Sequence, residues 1–389
     1  MQQLSASQIF IHTVICFWPV WLGLAVIFTV SIASRQKTGL YGRIFDSKVA
    51  MLGLSIVLFW ILTASFAELL APFDPLEQFA ALKRALPGII EQKSGLPFLF
   101  GGDNLGRDLF SRMIYGSRFV LLIAPAATLT SSISGVLLGL PAGYFRGRLN
   151  TLLSFLANLL LAFPVILLFH LLVTPGVRET IIPKLMAGLI FLLPIIFFML
   201  LFWSRYGARR QLLWIQLTLV MAFAGWIYVG VVFPDAVEAI GLSDLFPGLD
   251  PNELNIFVAV VFASAPGTFH IVRGLTLDLR TRDYVAAAQT RGENPWYIML
   301  WEILPNIRGP LIVDVCLRIG YTTILLGTLG FFGLGLAPES PDWGSMINQT
   351  RGFIRIVPTI VLPPTLALAS LVLGLNLLAD GLREESLKD

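Results

Sequence analysis

Asp314 and Arg318 lie four residues apart inside an otherwise apolar run, Leu311 to Leu336. That spacing puts two side chains on one face of a helix. In an apolar medium such a pair can neutralise itself, tie its helix to a neighbour, or meet a charged solute; the buried tie is favoured over direct solute contact. The same run carries Gly327, Gly330, Gly333 and Gly335. This small-residue stripe suits either close packing of another backbone or bending, and both readings stay open. Other chemistry is sparse. Three histidines, His12, His170 and His270, occur without a His-Glu-x-x-His pattern, which excludes the usual metalloprotease zinc site, and His12 and His170 are read as core or interfacial. The six lysines stand outside any glycine-rich loop and no Gly-x-x-x-x-Gly-Lys-Ser/Thr occurs, so the chain is not expected to bind ATP through a P-loop. Neither a metal nor a cofactor of its own is expected.

The elements that must hold these residues follow from composition. Of 389 residues, 56% are hydrophobic and 13% charged, with mean hydropathy +0.80. So much apolar surface does not fit a water-soluble core, and soluble enzymes, disordered regulators and nucleic-acid binders are excluded. Nine runs are long enough to span a bilayer as helices: Phe10 to Ala33, Val49 to Phe66, Phe119 to Gly143, Thr151 to Val173, Leu185 to Trp203, Leu212 to Phe233, Leu254 to Val272, Leu311 to Leu336 and Ile356 to Ala379. Their continuity, without strand alternation, predicts an all-α polytopic membrane protein. Cys16 and Cys316 sit in apolar runs and are read as small core residues.

Assigning connections alternately to the two faces puts 16 Lys and Arg on one side and 10 on the other, with Arg318 within the membrane. The positive-inside rule then predicts the N-terminus outside and the C-terminus in the cytoplasm. The first run is read as an uncleaved anchor. It is longer than a signal-peptide core, and residues 1–9 carry no Lys or Arg.

Two connections stand out. The one from Pro72 to Ser117 is the large outer piece, opening on the turn signal Pro72-Phe73-Asp74-Pro75. The one from Leu275 to Pro310 contains Asp283-Tyr284-Val285-Ala286-Ala287-Ala288-Gln289-Thr290-Arg291-Gly292 and then Glu293-Asn294-Pro295-Trp296. An alanine-rich helix stopping at Gly292, then a second helix with Pro295 near its start and an end near Leu304-Pro305-Asn306, makes a docking element of small residues.

Tyr284-Val285-Ala286-Ala287-Ala288-x-x-x-Gly292 with Ile303-Leu304-Pro305-Asn306 resembles the coupling loop of binding-protein-dependent ABC importer permeases. The segment Phe100-Gly101-Gly102-Asp103-x-x-Gly106-Arg107-Asp108-x-x-Ser111-Arg112, the Pro341-Asp342-Trp343-Gly344 turn and the tail Asn376 to Arg383 resemble the second permease subunit of the oligopeptide, dipeptide and nickel importers. Ala286 stands where that family carries Glu, and Gly102 where it carries Thr. The resemblance implies a six-helix core, matching all but the first, fifth and sixth runs. It divides the chain into an extra helix and basic link (1–47), a permease domain (48–380) with an outer loop (72–118), an inserted hairpin (183–234) and a coupling loop (275–310), and a cytoplasmic tail (381–389). The hairpin is expected to be peripheral. The implied function is solute translocation across a bacterial inner membrane, with peptide or a peptide-like solute as cargo. ATP would be bound by two separate ATPase subunits, alongside a second permease subunit and an extracytoplasmic binding protein. The alternative is a secondary transporter working alone, which lacks support from paired broken helices.

Overall fold

The computed structural model describes residues 3–35, 42, 44–178, 180–206, 210–232, 251–334 and 339–386. It is helical almost throughout. Helices α1 (Ala6–Cys16), α2 (Trp18–Ser34) and α3 (Lys48–Ser65) precede a short antiparallel hairpin, β1 (Ile89–Ile90) and β2 (Pro97–Phe98). Then come α4 (Leu109–Phe145), α5 (Gly147–Ala162), α6 (Val165–Val173), α7 (Ile182–Tyr206), α8 (Arg210–Val232), α9 (Pro251–Leu279) and α10 (Asp283–Thr290). A mixed helical segment, in π geometry over Ile298–Ile303, leads to α11 (Arg308–Phe331), α12 (Trp343–Thr350) and α13 (Leu362–Ser386).

Among the described residues seven helices are long and apolar enough to span a membrane, and two bent pairs raise the number to nine. The nine sequence runs all reappear; the ninth is shifted to Leu362–Ser386, and three others need larger corrections. The first run bends by 51° between α1 and α2, where Phe17 leaves helical geometry just before Pro19. The fourth breaks by 77° between α5 and α6. Pro164 forces this break: it removes a donor and pushes Phe163 to ψ 124°. The third starts at Leu109 rather than Phe119, because the Asp108 carboxylate accepts from the Ser111 amide at 2.9 Å and so starts the helix beyond the apolar run. The preceding loop therefore ends at Asp108, not near Ser117.

The chain forms two compact units, Met1–Pro125 with Cys316–Asp389, and Ala126–Val315. In the first, α3 and α13 pack through small residues: a Cβ at Gly53 would meet the backbone of Gly374 and Leu378, and one at Gly381 would meet Ala50. Phe17 and Val20 of the elbow between α1 and α2 enter the same core as Trp60 and Trp343, whose rings lie 4.9 Å apart. Residues 3 and 4 join the β-hairpin, with Gln3 bridging to Ile89 and the Leu4 amide donating to the Gly88 carbonyl at 2.9 Å.

In the second unit α4 meets α9 along Gly135, Gly139 and Gly143, where Cβ atoms would strike Thr268, Phe269, Val272 and Thr276. The hairpin divides in character. Only 6% of the α8 window is buried, whereas α7 sends Phe197 into the apolar cluster beneath α10. α7 is therefore tied into the interior of its unit, whereas α8 contributes little to it.

Candidate functional site

The 275–310 connection is shorter than expected, because α9 runs on to Leu279 and α11 begins at Arg308, and it is built to expose small side chains on a fixed base. Val285 and Ala288 of α10 are buried with Ile298, Met299, Leu300 and Ile303, while Asp283, Ala286, Ala287 and Gln289 face outward. This is the i, i+3 division of an amphipathic helix. Tyr284 is half-buried, and burial raises its hydroxyl pKa. The Glu293 amide donates to the Ala288 carbonyl at 3.2 Å and the Gly292 amide to the Gln289 carbonyl at 2.9 Å, closing the helix through a left-handed Gly292 with φ 78°. Nothing lies within 4 Å of a Cβ placed there, so backbone conformation alone requires the glycine. The Asn294 side chain then caps the next helix by accepting from the Trp296 amide at 2.9 Å, with Pro295 at its start. Trp296 and Leu304 pack on the same apolar cluster, and Pro305 is exposed. Arg291 donates to Glu302 at 3.0 Å, pinning the corner to the mixed segment.

In the first unit, Asp103, Gly106, Arg107, Asp108, Trp343 and Gly344 converge. Asp103 accepts from the Arg107 side chain at 2.6 Å and from the Arg107 amide at 2.9 Å, and both residues are 2% exposed. Arg107 continues to the Gln349 side chain at 2.9 Å, and Asn104 donates to the Gln349 carbonyl at 2.8 Å. Arg112, fully buried, donates to the Ser340 carbonyl at 3.0 Å. Gly106, at φ 79°, turns where a Cβ would collide with the Phe79 carbonyl. The Trp343 indole donates to the Met113 carbonyl at 2.9 Å. Burial pushes the Asp108 carboxyl up to about 6, against the opposing hydrogen bonds from Ser111, and burial likewise raises Asp342, which caps α12 through the Ser345 amide. Among the described residues, Asp108 Oδ1, Arg112 Nε and Asp342 Oδ2 are buried without a hydrogen-bond partner. This knot lashes the short α12 to the start of α4.

The glycine stripe on α11 has a defined neighbour. Gly344 sits against the backbone of Gly327 and Gly330, so these two glycines seat the start of α12. Gly333, with φ 72°, ends α11 in a Schellman arrangement: its amide donates to the Gly330 carbonyl and the Leu334 amide to the Leu329 carbonyl. Gly335 lies outside the described residues. Asp314 and Arg318 are half-buried on α11, and Asp314 accepts from Thr268 of α9 at 3.3 Å.

Residues 212–384 match the binding-protein-dependent transport system inner membrane component family, and residues 41–87 match the N-terminal transmembrane domain of oligopeptide transport permease C. The di/tripeptide transport system permease protein DppC of Pseudomonas aeruginosa is 30% identical over 338 residues, 87% of each chain. The chain belongs to the ABC importer permeases. The dipeptide transport system permease protein DppC of Haemophilus influenzae is 29% identical over 340 residues, 87% of this permease and 90% of the relative. The glutathione transport system permease protein GsiD of Pectobacterium atrosepticum is 29% identical over 342 residues, 88% and 87% respectively.

The permease is thus a multi-pass inner-membrane subunit of an importer, and an importer permease works with partner subunits. Sequence reasoning overlooked two of its features. The Gly135, Gly139, Gly143 spacing is a small-xxx-small pattern that announces the contact of α4 with α9. Trp301 in a polar connection was the available clue to the contact with α7, where its indole donates to Ser204 at 3.1 Å.

Proposed function

We propose that this permease carries a di- or tripeptide, or a glutathione-like peptide, inward across the membrane, and that α10 with the Gly292 corner receives the motion of a cytoplasmic ATPase. One observation carries the second half: a helix whose inner face is locked by Val285 and Ala288 and whose outer face is almost bare at Ala286 and Ala287. Such a surface gives a partner backbone close approach without side-chain rearrangement. The cargo class is taken from the names of the relatives.

The assembly in this reading contains a second permease subunit, two ATP-binding subunits and an extracytoplasmic binding protein. ATP is bound by the ATPase subunits, and the permease has no nucleotide site, metal or cofactor of its own. Asp283, Tyr284, Ala286, Ala287, Ala288, Gly292, Pro295, Trp296, Leu304 and Pro305 form the ATPase contact and its base. Asp314 and Arg318 serve the interior of the bundle, the permease domain spans 48–380, and the 1–47 and 183–234 segments are additions. The orientation is N-terminus outside and C-terminus in the cytoplasm. The pairing of residues 3 and 4 with Gly88 and Ile89 supports a common face for the first residues and the 72–108 loop, and the Lys and Arg bias supports which face that is.

The test is a cysteine at Ala287 in an otherwise cysteine-free permease, expressed with its partners and treated with a short bifunctional crosslinker. A crosslinked product with the ATPase subunit is expected. Efficient crosslinking of the complex elsewhere, with none at position 287, would overturn the docking assignment.

A further inference from the structure

Trp301 is held on two sides by one helix. Its indole N–H donates to Ser204 Oγ at 3.1 Å, and the Arg205 guanidinium lies over its ring at 4.3 Å from the centroid. Ser204 and Arg205 belong to the end of α7. Two turns back along α7, Phe197 is buried in the cluster that carries Val285 and Ala288 of α10 together with Ile298 and Met299 of the mixed segment. α7 therefore holds one arm of the corner directly, at Trp301, and shares with the other arm the apolar cluster on which it rests. The residues between Ile298 and Ile303 are in π geometry. A π turn inserts a residue into the helical repeat, so the direction of Trp301 relative to Asn294 differs from that of a plain α-helix, and such turns concentrate where the altered direction serves a function.

An indole gripped at its edge by a hydroxyl and on its face by a cation has little rotational freedom. Cation–π contacts contribute modestly when exposed and more when desolvated. Either grip alone leaves the ring free to tilt, whereas together they fix both its plane and its axis. α8, by contrast, contributes no residue to that cluster, and only 6% of its spanning window is buried.

We infer that α7 is a brace for the ATPase-docking segment, with Ser204 and Arg205 as positioning residues that act through Trp301. The hairpin thereby sets where α10 stands, and hence how much of the ATPase motion reaches the membrane. This inference rests on the docking role proposed above for α10.

The experiment uses the whole complex, purified through a tag on this permease, with spin labels at positions 198 and 290, both on exposed side chains. In the native background one narrow distance distribution is expected. The combined Ser204→Ala and Arg205→Gln variant should broaden it and change ATP hydrolysis by the complex about threefold to tenfold at unchanged membrane abundance. Arg205→Lys alone, which keeps the cation and leaves Ser204 in place, should keep the narrow distribution and hold hydrolysis within about twofold of native. Trp301→Phe, which keeps the ring and loses the N–H, should fall between. A distribution and a hydrolysis rate both unmoved by the combined variant, in a complex that still crosslinks at position 287, would overturn the brace. Failure of the crosslink with a broadened distribution would instead strike the docking role and leave the mechanical brace standing.

Discussion

The knot at residues 103–112 and the corner of the 275–310 connection each turn on a left-handed glycine, Gly106 at φ 79° and Gly292 at φ 78°. Around Gly106 the space is filled by the Phe79 backbone, and the charges beside it are buried and bonded to one another. Around Gly292 there is open space, and the neighbouring helix shows alanines outward. The same local conformation thus serves opposite ends. In the knot, polar groups withdrawn from water fix two segments to each other, because leaving one partner unpaired there is expensive. In the corner, little is withdrawn, and the surface remains available to something else.

The sharpest way to break this contrast is to remove a charge from the knot. Arg107→Ala leaves Asp103 buried without its closest cation, which costs about 3–5 kcal/mol. Membrane abundance and thermal stability in detergent should both fall steeply, as they should for Gly106→Ala, which adds a collision to the unfavourable φ. Native abundance for both would show that the knot holds nothing.

Next in size is a pH effect. With its carboxyl raised by burial to about 6, native Asp108 binds a proton more tightly than the unfolded chain does. Stability from this group is therefore highest at low pH and declines as pH rises from about 4 through 6, by roughly 2–3 kcal/mol. Amide exchange at the start of α4, corrected for intrinsic rates, should be slower at pH 5 than at pH 7.5, and Asp108→Asn should remove the difference. An equal dependence in both proteins would assign it to another group.

A smaller effect is expected at the corner. Gly292→Ala meets no atom and suffers only the left-handed backbone, about 1–2 kcal/mol. Abundance should stay native while ATP hydrolysis by the complex declines. A loss of abundance as large as that of Gly106→Ala would erase the contrast. Smallest of all, Ala286→Glu on the exposed face should change stability by no more than about 0.5 kcal/mol, read as an unmoved melting temperature.

Much of this was legible because a bilayer leaves few choices. Continuous apolar runs announced every spanning helix, and Gly292, Asn294 and Pro295 announced the two arms of the corner through local stereochemistry. The misjudged features depend on partners distant in sequence or on a capping residue outside the counted run. The start of α4 was set by Asp108, a polar residue that an apolar count ignores. Nothing local sets Phe197 apart from the other aromatics of its run, or says that Trp301 reaches Ser204, 97 residues away. The knot was visible as a motif but not as a mutual burial, since nothing local says that Arg107 reaches Gln349, 242 residues away.

The bridge from Gln3 to Ile89 bears on how the chain is made. Its two ends are separated by two segments long and apolar enough to span a membrane, the bent α1–α2 pair and α3, and the pairing brings residues 3 and 4 and the 87–98 hairpin to one face. The hairpin then finds a waiting edge. A chain whose first helix entered in the opposite sense would present that hairpin with an unclaimed strand, and unclaimed strand edges invite association with other chains. The pairing thus makes correct insertion of the first helix a condition for finishing a loop synthesised some eighty residues later.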